Sequence, residues 1–252
     1  MTLYTIHPIV MGTKIFDKGM MTYQHDYGTP YTIPIYTWYI EGGDAKILVD
    51  TGEAHPIRSE DRERAIGGRI YTFEEGLALY GLIPSDIDIV IHTHLHNDHC
   101  ENDYKCENAR FYVHEKELAR IHNPHPLDYR YLEDYIEEVE ADGRIEAINE
   151  DREIVGGISV MHTPAHTDGG LSVVISTSGG KAVITGCCTI MENFYPPKEI
   201  LGMEMDLIPP GTHVNAYEAY DAMEKIKKAA DILIPLHEPS FASVREIPGP
   251  CA

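Results

Sequence analysis

Short apolar runs bounded by turn residues dominate this chain, and stretches with helical spacing fall between them. The segment YTIPIYTWYIEGGDAKILVDTG reads as two strands about a Gly42-Gly43 turn, leading into a loop at Asp50-Thr51-Gly52. TFEEGLALYGL has helical spacing and stops near Gly81. DIDIVIHTH is an apolar run of the kind that forms a buried strand, and ARFYVH is another, with a short helix after it in EKELARI. PLDYRYLEDYIEEVE predicts a helix with Tyr129, Leu132, Tyr135, Ile136 and Val139 on one face. Strands return in REIVGGISVMHT, LSVVIST and KAVITGC, followed by a helix in NAYEAYDAMEKIKKAA and a last strand in DILIPLH. Strands in both halves with helices between them predict a mixed α/β fold whose sheets are covered by helices. No Pro- or Gly-rich linker and no internal repeat divides the 252 residues, so a single domain over 1–252 is expected.

Composition narrows the function classes. A hydrophobic content of 43% and a charged content of 24% are ordinary for a globular protein. No run of about 18 apolar residues is present that could span a bilayer. The opening MTLYTIHPIVMG lacks the basic region and apolar stretch of a secretory signal, so a cytoplasmic setting is expected. With 20 Lys and Arg against 41 Asp and Glu, the net charge is −21. Such a field repels polyanions, which argues against nucleic acid and anionic membranes and leaves a small-molecule substrate. Five cysteines, two of them adjacent at Cys187 and Cys188, do not make a disulfide framework; a reduced compartment suits them better. Cys100, Cys106 and Cys251 read as packing or surface residues.

The candidate chemistry begins at His94-Leu95-His96-Asn97-Asp98-His99. Two imidazoles two residues apart in extended chain point the same way, so His94 and His96 can hold one ion. The chain then turns, and Asp98 and His99 can reach a second. Zinc takes about four N, O or S ligands, and a catalytic site keeps a place for water. A solvated His-rich loop is the plain alternative, but this spacing directly after a buried strand is rare in loops. Three further candidates each follow a strand: His166 in HTPAHTDGG, Cys187 in AVITGCC and His237 in ILIPLHEP. Side chains gathered from strand ends around one cleft are the usual layout of α/β sites. His92 and His162 read as supporting residues, while His55, His122 and His125 are loop residues that could line a cleft.

The string THLHNDH resembles the T-H-x-H-x-D-H signature of the metallo-β-lactamase superfamily, with LVDTG, HTPAHTDGG and PLHEP in that family's order. The resemblance runs from about Trp38 to His237 and implies a four-layer αββα sandwich with a two-metal site at one edge. It implies one ion on His94, His96 and His166, and another on Asp98, His99 and His237. Asp50 would orient a metal-binding histidine through a hydrogen bond. The place usually held by a bridging aspartate is Cys187, with Cys188 as its competitor; strand neighbours face opposite ways, so only one can reach the site. A thiolate there resembles the zinc-binding cysteine of one β-lactamase subgroup and favours zinc, two per chain, with manganese or iron remaining open.

The layout also resembles the N-acyl homoserine lactonases, through IPIYTWYIEGGDAKILVDTG and CTIMENF. Those enzymes commonly polarise the lactone carbonyl with a tyrosine a few residues past the bridging aspartate. That place is Thr189-Ile190 here, and Tyr195 is nearby but shifted. The expected chemistry is attack on a cyclic ester or related carbonyl by a water whose pKa two ions lower from 15.7 towards about 7, with Asp98 as the proton acceptor. A cyclic-amide or β-lactam hydrolase is the alternative that the cysteine prompts, and a metal-binding protein without turnover is the non-enzyme reading. Sixteen tyrosines against five phenylalanines suggest an aromatic cleft wall, with Tyr195 and His122 as substrate-contact candidates. A homodimer stays open.

Overall fold

The computed structural model describes residues 2–201 and 205–249; Cys251 lies outside them. Two sheets face each other. The first runs in the order β1 (Thr5–Asp17), β2 (Pro30–Glu41), β3 (Ile47–Val49), β4 (Ile89–Ile91), β5 (Arg110–His114) and β6 (Ile145–Ile148). Its first two pairings are antiparallel and the rest parallel. The second runs β7 (Arg152–Val155), β8 (Ile158–His162), β9 (Leu171–Thr177), β10 (Gly180–Ile184) and β11 (Ile232–Ile234), with only β10 and β11 parallel.

Period-two alternation sorts the side chains into layers. Ile47, Val49 and Ile91 of the first sheet meet Val160, Val173, Ala182 and Ile184 of the second in one core between the sheets. The intervening residues Leu48 and Val90 face the opposite way, into a core with Phe73, Leu77, Ile121 and Val139. Those four belong to the helices α2 (Phe73–Ala78), α4 (Glu115–His122) and α5 (Glu137–Ala141), which share this half of the chain with α1 (Glu60–Ile66) and α3 (Asn97–Cys100). On the far side, Val183 packs under α8 (Ala216–Ala229), beyond the short α6 (Met191–Phe194) and α7 (Lys198–Leu201). The result is an αββα sandwich.

Helix α8 shows why its sequence folds this way. Asn215 caps it by accepting from the backbone N–H of Tyr217 and Glu218, and Ala219, Ala222, Met223 and Ile226 form one buried stripe. Cutting back a side chain as enclosed as Ile226 to alanine costs about 2–5 kcal/mol.

One strand lies outside the expected pattern, and one expected helix changes. The 13-residue β1 shows no clean apolar pattern, because Pro8 interrupts it and a bulge shifts register between Val10 and Gly12. The helix expected over PLDYRYLEDYIEEVE forms only as a 3-10 turn at Glu133–Tyr135 and as α5. Ile136 and Val139 do enter the core, but Tyr129 is 83% exposed. Upstream of Leu132 the chain spends its polar groups on the site instead: the Arg130 carbonyl accepts from Asn97 N–H at 2.9 Å, and Asp128 reaches His96.

Candidate metal centre

Strand β4 delivers the histidine motif to the edge of the sandwich. Past Ile91 the strand ends and its alternation breaks: Leu95 packs into the helix-side core with Val90, while His94 and His96 face a cleft of about 630 Å³. Buried Glu117 holds that loop in place. Its Oε2 accepts from Leu95 N–H at 2.9 Å and from the Tyr131 hydroxyl at 2.9 Å, and its Oε1 from Gly169 N–H at 3.1 Å. One carboxylate thereby ties together the loops of His96, Tyr131 and His166. Helix α3 then carries Asp98 and His99, the loop after β8 brings His166, and the loop after β11 brings His237; all line the same cleft. His94, His96 and His166 each bring a ligand atom within 4.8 Å of the others, the only trio of such residues among those described that closes so tightly. His99 Nε2 stands 3.9 Å from Asp98 Oδ1.

Each imidazole has one nitrogen fixed from behind. His166 Nδ1 donates to the Thr212 carbonyl at 2.9 Å and His237 Nδ1 to the Pro34 carbonyl at 2.9 Å. His99 Nδ1 donates to Asp50 Oδ2 at 2.8 Å, and His96 Nε2 to Asp128 Oδ2 at 3.1 Å. The Thr93 hydroxyl donates to Asp50 Oδ2 at 2.7 Å and so accepts from His94 Nδ1 at 3.0 Å. Nε2 of His94, His99, His166 and His237, and Nδ1 of His96, are thus left as lone-pair donors. His94 Nε2 is buried without any hydrogen-bond partner, an orphan that is costly unless something accepts its lone pair. A divalent ion fits that donor set, and oxygen partners behind metal-binding imidazoles are the usual way of fixing them.

Electrostatics agree. Burial, then the neighbouring imidazoles, push His94 well below its ordinary value, and burial with His99 beside it lowers His237 to about 4. Both are neutral at pH 7 and so have a lone pair to offer. Burial opposes ionisation of Asp98, but His99, Lys14 and His237 outweigh it and keep the carboxyl below its usual range. Asp50 is likewise held down to about 2 despite complete burial, by His99 and His92. Its backbone sits at φ 57°, a left-handed conformation unusual outside glycine, which aims both oxygens at the site.

The structure corrects the cysteine assignment. Cys187 packs under α8 with Val183, Phe194 and Met223, away from the cleft. Cys188 is the one that lines the cleft, beside Met21, Ile33 and Ile190, because the face set by Ile184 recurs four residues on. Burial pushes the Cys188 thiol up to about 12.

Neither substrate-contact candidate reaches the cleft. Tyr195 is 60% exposed at the end of α6, with Lys227 over its ring. His122 is held on the outside between Glu133 at 2.7 Å and Glu140 at 3.0 Å. His125 does line the cleft, as do Tyr129 and Tyr131. His92 is buried with Nε2 on Asp103 at 2.8 Å, and His162 donates to the Asp168 carbonyl at 2.8 Å, both in supporting positions. Asp128, Arg130 and Glu117 went unnoticed in the sequence. Nothing in their local sequence sets them apart from ordinary surface charges.

Comparison with known proteins points the same way. The profile of the metallo-β-lactamase superfamily matches residues 31–237. A probable metallo-hydrolase of Methanocaldococcus jannaschii is 32% identical over 164 residues, 65% of this chain and 63% of that protein, so the match spans just under two thirds of that relative. The N-acyl homoserine lactonase AiiA of Bacillus thuringiensis subsp. kurstaki is 26% identical over 82% of this chain and 85% of its own. Among solved structures, an N-acyl homoserine lactone hydrolase with its product N-hexanoyl-L-homoserine at the catalytic metal centre superposes with a TM-score of 0.75 at 22% identity, covering 99% of both chains. A B. thuringiensis AiiA mutant with N-decanoyl-L-homoserine bound gives 0.76 at 22% identity, again over 99% of both. A profile matched from the second strand to the last histidine, on an αββα sandwich with the motif at its edge, makes this chain a member of the metallo-β-lactamase superfamily.

Proposed function

We propose that this protein is a dinuclear zinc hydrolase that opens a cyclic ester or a related carbonyl substrate. The observation that carries the reading is the set of five imidazoles whose rear nitrogens are all engaged and whose other nitrogens are left as donors around one cleft. In this reading His94, His96 and His166 hold one ion, and Asp98, His99 and His237 the other. Cys188, rather than Cys187, offers a thiol to the pair, and a soft donor there favours zinc. Bound zinc supplies Lewis-acid polarisation and makes water acidic enough to be a nucleophile near neutrality.

The chain's own residues do the rest. Asp98, whose carboxyl is held below its usual range with His99 and Lys14 beside it, accepts the proton of the attacking water and returns it to the leaving oxygen. Phe16, Met20, Ile33 and Leu127 give the cleft an apolar side that suits the hydrocarbon part of a substrate. Several relatives are named N-acyl homoserine lactonases, and a homoserine lactone is a cyclic ester, which supports that substrate class here. A cyclic amide is the second reading, favoured by the thiol of Cys188 in the cleft. The four described cysteines are free and buried, as suits a reducing cytoplasm, and among the described residues no helix is long and apolar enough to cross a membrane. We take 1–252 as one catalytic domain. A panel of lactones, esters, β-lactams and amides, with and without chelator, tests the reading: it predicts chelator-sensitive opening of lactones, and a metal-loaded protein inert to all four classes would refute it.

A further inference from the structure

The carbonyl oxygen of a substrate gains negative charge during attack and needs a donor beside the ions. The tyrosine that the lactonase resemblance would supply is missing. Thr189 is buried and bonded to Thr185 at 2.9 Å, and Tyr195 is outside the cleft. Tyr131 lines the cleft, but its hydroxyl is committed to Glu117. Two arginines also line it. Arg120 is neutralised by Asp168, to which it donates through Nε at 3.2 Å and through Nη2.

Arg130 is placed differently. Its Nε donates to Asp128 Oδ1 at 2.7 Å, while Nη1 donates at 3.3 Å to His166 Nε2, the lone pair that would otherwise face an ion. Its one carboxylate partner among the described residues, Asp128, is shared with His96. A guanidinium held this close to a cation site is repelled by the ion it faces unless an anionic oxygen lies between them. In a chain of net charge −21, a cation kept at that spot is informative.

We propose that Arg130 is a catalytic residue that binds the oxyanion of the substrate and then the product carboxylate; this rests on the hydrolase reading above. As the oxygen of water bonds to the carbonyl carbon, the π pair of the C=O moves onto its oxygen, which accepts an N–H of Arg130. Asp98 takes one proton from the water. When the C=O re-forms, the ring C–O bond breaks, and the leaving oxygen keeps the bonding pair and receives that proton. The acid so formed ionises in water, and its carboxylate stays on the guanidinium until release. Arginine suits both partners because its planar fork matches an oxyanion or a carboxylate.

The test uses acetate as the simplest carboxylate and cobalt in place of zinc, so that binding is read from the visible spectrum of the loaded protein. Arg130→Met is expected to keep the wild-type metal content while its acetate dissociation constant rises about tenfold or more, and Arg130→Lys to fall between the two. Metal-loaded Arg130→Met with wild-type acetate affinity overturns the proposal. If Arg130→Met loses metal, Arg130→Lys decides: weakened acetate binding supports the assignment, and unchanged binding overturns it. A wild-type protein that opens no lactone yet binds acetate through Arg130 would refute the hydrolase reading and leave the anion site standing.

Discussion

His99 and Asp50 are joined by a hydrogen bond of 2.8 Å from Nδ1 to Oδ2, both fully enclosed and 49 residues apart in the chain. The same carboxylate takes the backbone N–H and hydroxyl of Thr93 at 2.8 and 2.7 Å, so the two sides of the histidine motif are indexed to one residue. Asn tolerates the left-handed backbone at Asp50 better than most residues do, which makes Asp50→Asn the fair probe. It should weaken metal affinity about 10–100-fold with the fold intact, read by competition with a chromophoric chelator. Wild-type affinity would remove Asp50 from the support of the site.

Asp98→Asn keeps the shape of the side chain and removes its charge. We expect turnover to drop about 10²-fold or more with unchanged circular dichroism. Near-normal turnover would show that the water's proton leaves by another route.

The two adjacent cysteines should separate cleanly. Cys188→Ser should weaken metal binding, and alkylation of Cys188 should be slow in the loaded protein and faster after chelation, as a coordinated sulfur is a poor nucleophile. Cys187→Ala should keep the metal and cost about 1 kcal/mol through a small void beneath α8. Peptide mapping of the alkylated protein distinguishes them, and the reverse pattern would contradict the register seen here.

Glu117 carries a stability prediction. Glu117→Gln swaps acceptors for an amide whose NH2 faces donors, so at least one of Leu95 N–H, Tyr131 hydroxyl and Gly169 N–H loses its partner. Each buried donor left unpaired costs about 1–3 kcal/mol. Urea unfolding should show a loss in that range, and an unchanged midpoint would mean that the three loops are held by something else.

Most of this site could be read in the sequence because its strongest signal is local. The spacing of His94, His96, Asp98 and His99 after an apolar run says both what the residues bind and where the chain turns. His166 and His237 follow from strand ends. The cysteine pair misled because both faces of β10 are buried: Ala182, Val183 and Ile184 are all fully enclosed, so no polar position in AVITGCC marks which face looks toward the cleft. The wall of the cleft misled for a different reason. Residues 126–140 have helix-like apolar spacing, yet Asp128 and Arg130 bond to His96, His166 and Asn97, and those distant partners decide the backbone before Leu132. Glu117 sits inside an ordinary amphipathic helix, and nothing in EKELARI marks it as the carboxylate that ties three loops.

On the proposed reading, hydrolysis depends on ions held by these imidazoles. The most direct test titrates zinc into metal-stripped protein while following both bound zinc and opening of an N-acyl homoserine lactone. Binding should saturate at two ions per chain, with activity absent at zero and restored as the sites fill. His94→Ala, which removes the orphaned Nε2, should abolish both together. Full lactone opening by the stripped protein, or zinc filling two sites in His94→Ala as it does in the wild type, would contradict that reading.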